Sequence, residues 1–138
     1  MEDSDLAARF PRSFTYGRDC AIAYSMGPNA LWLTEFLAAS LTLQPGMRVL
    51  DHGCGMGMSS VFLAREFGVE ASANDLWIPA EDNAWRFKEA GLGEQSHAVN
   101  ADARALPYDP DFLTSLSVST PTTTLVWTTF TWATSASC

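Results

Sequence analysis

Residues 48–60 read RVLDHGCGMGMSS, and this stretch determines the fold that we predict for the chain. Two apolar residues lead into Asp51, glycines follow at Gly53, Gly55 and Gly57, and a helical pattern comes next. This order is typical of a strand, a tight loop and a helix, which together begin a βαβ unit. The three glycines permit positive φ angles and leave the loop without side chains, so a ligand can lie against its main chain.

The spacing of the glycines indicates what kind of ligand to expect. The dinucleotide fingerprint is G-x-G-x-x-G, whereas the third glycine here comes one residue early, and Asp51 precedes the loop. An acid at that place repels a phosphate and favours a positively charged ligand. The pattern resembles motif I of the class I S-adenosylmethionine (SAM)-dependent methyltransferases, and SAM carries an ammonium and a sulfonium. The resemblance implies cofactor contacts from five residues: Asp51, Gly53, Cys54, Gly55 and Gly57. A glycine-rich turn without a ligand is the alternative.

A second acid follows the next apolar segment. Residues 69–73 alternate between apolar and other residues and lead into Asp75, which predicts a strand that ends in an acid. An acid at this place in a nucleotide-binding unit accepts hydrogen bonds from the ribose hydroxyls, in SAM and in NAD alike. The alternative is an aspartate that caps a turn or a helix. The neighbouring Leu76 and Trp77 are candidates to pack on the adenine, and a core position is the alternative for Trp77.

The third acid lies just beyond the next predicted strand. Residues 95–100 form that strand, and Ala101, Asp102 and Ala103 follow it. In the methyltransferases that the chain resembles, an acid at this place reaches the adenine amino group. The resemblance therefore makes Asp102 and Ala103 cofactor-binding candidates, although an isolated aspartate in a loop is otherwise a solvated turn residue.

These segments predict an α/β fold, a Rossmann-like class I methyltransferase sheet truncated to its first three βα units. We expect strands near residues 47–51, 70–74 and 95–100 in the spatial order 3-2-1. We expect helices that open with Pro28, at Val61 and at Pro79, the last two ending at Gly68 and Gly91. The predicted organisation is a loop-like N-terminal extension (1–25), a partial SAM-binding domain (26–112) and an unrelated tail (113–138).

Composition restricts the function further. The formal charge of −8 argues against nucleic-acid binding, which depends on basic patches. No signal peptide and no apolar run long enough to cross a membrane are visible, and the three cysteines form neither a disulfide framework nor a zinc signature. The sequence thus predicts a reduced cytoplasmic protein that binds no metal, and Cys54 is expected to fill space rather than act as a nucleophile.

The tail differs in kind from the rest of the chain. Residues 113–138 contain nine threonines and five serines but no charged residue, histidine, amide or glycine. Reading codons from the third base of each residue turns Trp127-Thr128 into aspartate and Trp132-Ala133 into glycine, and permitted codons give a Val-rich segment followed by acids and aromatics. That reading resembles the family's fourth-strand region. We interpret the tail as an out-of-frame translation that is poorly ordered or pairs with the open edge of the first strand, where residues 126–132 have high β propensity. A natural low-complexity tail is the alternative.

The function implied by the resemblance is methyl transfer from SAM to a small-molecule acceptor. The residues that align the acceptor are expected beyond residue 112, so we assign no catalytic residue. We predict that this chain is a truncated, weakly active or inactive product. Two alternatives stay open, an NAD-binding oxidoreductase domain and a noncatalytic nucleoside-binding fragment. The acceptor, the methylated atom and the oligomeric state do not follow from the sequence.

Overall fold

A computed structural model describes residues 3–24, 29–102, 104–109 and 115–118. Its elements in chain order are α1 (Asp3–Arg9), a 3₁₀ turn (Ser13–Tyr16), α2 (Arg18–Ala23), α3 (Ala30–Ala38), β1 (Arg48–His52), α4 (Met58–Phe67), β2 (Glu70–Asp75), α5 (Ala80–Glu89), β3 (Ser96–Asn100) and β4 (Ser115–Val118). Within these ranges, no helix has the length and apolar character needed to cross a membrane.

The four strands form one parallel sheet in the order β3-β2-β1-β4. The register aligns Asp51 with Ala73 and Ala73 with Ala98, so the strand ends meet at one edge of the sheet. The predicted α/β class and the 3-2-1 order of the first three strands are confirmed. Parallel strands place their carboxyl ends together, and this brings the loops after β1, β2 and β3 to the same side.

β4 extends the sheet beyond the three strands that we predicted. Its four residues pair with β1 from Val49↔Ser115 to His52↔Val118. The tail is predicted to pair at this edge through residues 126–132, which lie outside the described residues. The pairing that the structure describes uses a segment nearer to the body of the domain.

The core lies between the sheet and the two helices that follow its first strands. Val49, Leu63 and Val69 join β1, α4 and the start of β2, and Phe87 of α5 packs with Cys54 and Ala73. Phe87 is fully buried. Burial of a phenylalanine side chain contributes about 1.5–3 kcal/mol, so these contacts fix α4 and α5 on one face of the sheet.

The N-terminal segment is not the loop that we predicted, because α1, the 3₁₀ turn and α2 occupy most of residues 3–23. These elements are too short to show a helical period, and contacts with the domain hold them. The Glu35 carboxylate accepts the backbone N–H groups of Arg12 and Ser13 at 3.0 and 2.8 Å. The Tyr16 hydroxyl donates to Glu66 Oε1 at 3.0 Å. Tertiary contacts thus order a segment whose local sequence does not specify helices.

Two helices begin elsewhere than predicted. α3 starts at Ala30, and the Asn29 Oδ1 atom caps it by accepting the N–H groups of Leu31 and Trp32 at 3.1 and 3.2 Å. Asparagine is a strong N-cap, so it sets the helix start; Pro28 lies outside the described residues. α4 starts at Met58, one turn before Val61, directly after the left-handed Gly57. The end of α4 at Gly68 and the start of α5 after Pro79 agree with the prediction.

Candidate functional site

The glycine loop connects β1 to α4 at the carboxyl edge of the sheet. Gly53, Gly55 and Gly57 have φ angles of +72°, +54° and +77°, the left-handed region in which other residues are strained. The N–H groups of Gly53 and Cys54 both donate to the carbonyl of Asn74, at 2.8 and 3.1 Å. The end of β2 therefore anchors the first half of the loop.

Asp51 lies beneath this loop and is completely buried. Its Oδ2 atom accepts the hydroxyl of Ser60 at 2.7 Å and also that of Ser59, both from the first turn of α4. Its Oδ1 atom has no hydrogen-bond partner among the described residues. Burial raises the pKa of Asp51, and nearby Asp75 acts in the same direction, whereas the two hydroxyls and His52 oppose the rise. A buried carboxylate with an unused oxygen suits a cationic ligand, because an opposite charge offsets the cost of its burial.

Asp75 is also buried, and the backbone around it uses most of its acceptor capacity. Oδ2 accepts the N–H of Gly55 at 2.9 Å, and Oδ1 accepts the N–H groups of Trp77 and Ile78 at 2.8 and 3.0 Å. An ionised carboxylate offers about four acceptor sites, so roughly one is left for a ligand hydroxyl. The structure thus shows the turn-capping role that the sequence left as the alternative, and the predicted ribose contact stays a prediction.

Leu76 and Trp77 follow Asp75 at the rim of this edge. They are 48% and 86% exposed, so Trp77 is not the core residue that the sequence left open. Asn100 at the end of β3 fixes the turn, since its Nδ2 atom lies 3.1–3.3 Å from the carbonyl oxygens of Asp75, Leu76 and Ile78. The rim is therefore apolar and is held in place from the neighbouring strand.

The remaining pair of candidates follows β3. Both oxygens of Asp102 bind the guanidinium of Arg104, at 2.9 Å to Nε and 2.6 Å to the terminal nitrogen. Arg104 holds the pKa of Asp102 well below its usual range. Asp102 is thus engaged by Arg104, and its predicted contact with adenine stays a prediction. Ala103 lies outside the described residues.

Cys54 is the one cysteine in the glycine loop, and its thiol is buried. Burial raises the pKa of Cys54, and the charges of Asp51 and Asp75 raise it further. Because only a thiolate is a good nucleophile, this environment favours the space-filling role predicted from the sequence.

Helix α5 contributes two residues to this site that were not predicted from the sequence. Asn83 and Phe87, four residues apart and so on one face of the helix, both reach the loop. Asn83 Nδ2 donates to the Gly55 carbonyl at 2.8 Å. A Cβ atom on Gly57 would lie 2.7 Å from Cε1 of Phe87. The i, i+4 spacing of two residues on a helix next to a glycine loop was the available signal.

His52 and Asn74 form a second pair that the sequence did not reveal. They are opposite each other in the β1–β2 register, and Asn74 Nδ2 lies 2.7 Å from His52 Nδ1. The pair links the ends of β1 and β2 beside the loop. Four polar side chains (Asp51, His52, Asn74 and Asp75) therefore lie together at the edge of the sheet where the ligand is expected.

Part of the chain is similar in sequence to known methyltransferases. No family model matches the chain. Residues of the chain are 34% identical over 84 positions to the methyltransferase GfsG of Streptomyces halstedii, covering 57% of the chain and 29% of the relative. They are 32% identical over 95 positions to a demethylmenaquinone methyltransferase of a Mycobacterium species (strain KMS), covering 69% and 37%. The chain thus spans about a third of the length of these relatives.

The fold agrees with the sequence comparison. A crystal structure of geranyl diphosphate C-methyltransferase from Streptomyces coelicolor A3(2), with S-adenosyl-L-homocysteine bound, superimposes with a TM-score of 0.58 at 24% identity. The match covers 62% of the chain and 32% of that structure. The chain is thus similar in sequence to part of known methyltransferases, and it shares the fold of a SAM-dependent methyltransferase structure.

Proposed function

We propose that the chain supplies the cofactor-binding part of a SAM-dependent methyltransferase. The observation that carries the proposal is the buried Asp51 with its unpartnered Oδ1 atom at the start of a three-glycine loop. The donor set fits the cofactor because a carboxylate at this place favours the cationic amino group of SAM, and Asp75 has acceptor capacity left for a ribose hydroxyl. The methyltransferase relatives support the same assignment.

When bound, SAM supplies the methyl group that an acceptor nucleophile attacks. The residues of this chain bind and orient the cofactor: Asp51 holds positive charge, the glycine loop accommodates the ligand along its backbone, and Asp75 fixes the sugar. In-line alignment of acceptor and methyl group accounts for most of the rate gain in such a transfer. We assign no catalytic residue, since the residues that align the acceptor are expected beyond residue 112.

We propose a small molecule as the acceptor. One matched relative is named for demethylmenaquinone, and one structural neighbour is named for geranyl diphosphate; both are small molecules. The net charge of −8 is unfavourable for a nucleic-acid acceptor. The cytoplasmic location stays a prediction from the sequence.

The NAD-binding oxidoreductase and the noncatalytic nucleoside-binding fragment were the two alternative functions. An NAD-dependent function is not favoured, because Asp51 would oppose a pyrophosphate at the loop and the matched relatives are methyltransferases. Cofactor binding without turnover is the second candidate function. Its support is that the cofactor-binding candidates lie among the described residues, whereas no acceptor-aligning residue is assigned among them.

Calorimetric titration of the purified chain with SAM, S-adenosylhomocysteine (SAH) and NAD tests these assignments. We expect binding of SAM and SAH and none of NAD, and we expect Asp51→Asn to weaken both interactions. Preferential binding of NAD, or no binding of SAM and SAH by a folded chain, would overturn the proposal. A methyl-transfer assay with a panel of small acceptors then separates an active enzyme from a binding fragment.

A further inference from the structure

Asn83 of α5 is a buried amide whose polar atoms are all engaged at the glycine loop. Its side chain is only 2% exposed. Nδ2 donates to the Gly55 carbonyl at 2.8 Å and reaches Cys54 Sγ at 3.5 Å, and Oδ1 accepts from Arg86 at 2.7 Å. A guanidinium can only donate, so Arg86 determines that Oδ1 faces it and that Nδ2 faces the loop. The donor from Arg86 and the acceptor on Gly55 therefore determine the orientation of the Asn83 amide.

The Asn83 amide binds one of the two backbone polar groups of Gly55, namely its carbonyl. The N–H of Gly55 donates to Asp75 Oδ2 at 2.9 Å, and its carbonyl accepts from Asn83 at 2.8 Å. Both contacts are buried and come from different elements, β2 and α5. Hydrogen bonds to both its N–H and its carbonyl fix the orientation of the peptide groups of Gly55. Its φ angle of +54° lies in the left-handed region, which glycine adopts without strain.

Fixing the Gly55 carbonyl also fixes the next N–H group. The described part of the chain contains no cis peptide bond, and in a planar trans peptide the C=O and the following N–H point in opposite directions. Because the carbonyl of Gly55 points to Asn83, the N–H of Met56 points away from α5. Met56 itself is half-buried.

We propose that Asn83 is a positioning residue that presents the Met56 N–H group to the bound cofactor. The inference rests on the proposed SAM-binding function. Asn83 does not contact the cofactor; it acts through the Gly55–Met56 peptide. Phe87, one turn further along α5, packs where a Cβ atom of Gly57 would be and holds the other end of the same segment.

The test compares three variants on α5. Asn83→Asp keeps the shape and an acceptor for Arg86 but removes the donor for Gly55, and Asn83→Leu removes both. Ala84→Asp adds the same carboxylate at an exposed position of the same helix and serves as the control. SAH affinity is measured by calorimetry at about pH 5 and about pH 8, always as a ratio to the wild type at that pH.

We expect Asn83→Asp to weaken SAH binding about tenfold at the higher pH, the loss typical of a buried hydrogen bond, and Ala84→Asp to change nothing. Burial and the nearby Asp51 and Asp75 raise the pKa of the introduced carboxyl group, whereas Arg86 lowers it. Once the lower pH protonates this group, it can donate to Gly55. Affinity should then recover in Asn83→Asp but not in Asn83→Leu. A merely structural role would give no such recovery.

The Met56 amide resonance in the free protein provides an independent measurement. We expect its chemical shift to move in both Asn83 variants and to return at low pH in Asn83→Asp alone. An unmoved resonance, or SAH affinity that equals the wild type in a folded variant, would overturn the inference. If the wild type binds no SAH, the proposed function fails, and the Met56 resonance still decides whether Asn83 orients this peptide.

Discussion

Asp75 Oδ2 accepts the N–H of Gly55 at 2.9 Å, which joins the end of β2 to the middle of the loop that follows β1. The carboxylate that we expect to bind the ribose is thus the same group that shapes the glycine loop. We therefore expect cofactor binding and loop geometry to be coupled through this side chain, so that substitutions at this edge of the sheet affect both.

Asp75→Asn should weaken SAH binding by about 1–3 kcal/mol and also lower the melting temperature. The amide nitrogen cannot accept a hydrogen bond, so either Gly55 or the Trp77 turn loses its partner. Calorimetry and thermal melts measure the two effects, with the exposed Asp109→Asn as the control. Wild-type SAH affinity in Asp75→Asn would show that the ribose assignment is wrong.

The pH dependence of stability should contain a contribution from Asp51. Burial raises its pKa in the folded state above the unfolded value. Its contribution to stability is therefore fully present below the unfolded pKa and is lost as the pH rises through the folded pKa. Asp51→Asn should reduce this decline and leave the protein no less stable at neutral pH, while weakening SAH binding by about 1.5–3 kcal/mol. Thermal melts across pH give the comparison; an unchanged pH slope in the variant would contradict it.

Three glycine substitutions separate backbone strain from crowding. Gly46→Ala should cost about 1–2 kcal/mol from its φ of +84° alone, since nothing lies within 4 Å of a Cβ there. Gly57→Ala has a similar φ and in addition meets Phe87 at 2.7 Å, so its cost should be larger by about 1–3 kcal/mol. Gly93→Ala, with its nearest contact at 3.7 Å, should stay within about 0.5 kcal/mol. Urea denaturation ranks the three, and equal losses at Gly46 and Gly57 would refute the crowding at Phe87.

The two described cysteines should differ in reactivity. Cys20 is half-buried, whereas Cys54 is buried and its pKa is raised. A maleimide reagent should therefore modify Cys20 first in the native protein and Cys54 only after addition of denaturant. Peptide mass spectrometry after a time course reads out each site. Faster labelling of Cys54 would mean that its thiol is activated, contrary to the space-filling role.

The DNA sequence of the gene can determine the origin of residues 113–138. We propose that the reading frame changes near Phe112, because the residues after that point include no charged residue and no glycine. The DNA downstream, read one base over, should encode a continuation rich in aspartate and tyrosine. Its absence would leave the natural low-complexity tail as the explanation.

Short-period patterns of apolar residues in the sequence predicted most of the strands in the sheet. The alternation in residues 69–73 and the apolar run before Asp51 predicted β2 and β1, because local burial determines strand patterns. The alternation of strands with helical segments predicted their order with β3. The left-handed Gly68 likewise marked the end of α4. These features depend on residues close together in the chain, so the sequence alone carries them.

Contacts between distant residues accounted for what the sequence did not reveal. Residues 13–16 form a helical turn because Glu35 and Glu66 hold them, and neither partner lies in the segment itself. Asn83 reaches the Gly55 carbonyl from 28 residues away. The sequence pointed to Asp51 and Asp75 as candidates, but it could not show that backbone groups already use most of the acceptor sites of Asp75.

β1 is hydrogen-bonded on both sides, and its partner on one side, Ser115–Val118, is the last described strand to be synthesised. While the nascent chain lacks that segment, β1 presents a bare row of N–H and C=O groups on which a second chain can pair. Parallel pairing depends on backbone groups, so a short uncharged segment such as SLSV is sufficient to occupy the row. Chains released before Val118 should therefore self-associate through β1, and the yield of monomer from a truncation series should rise once this segment is included.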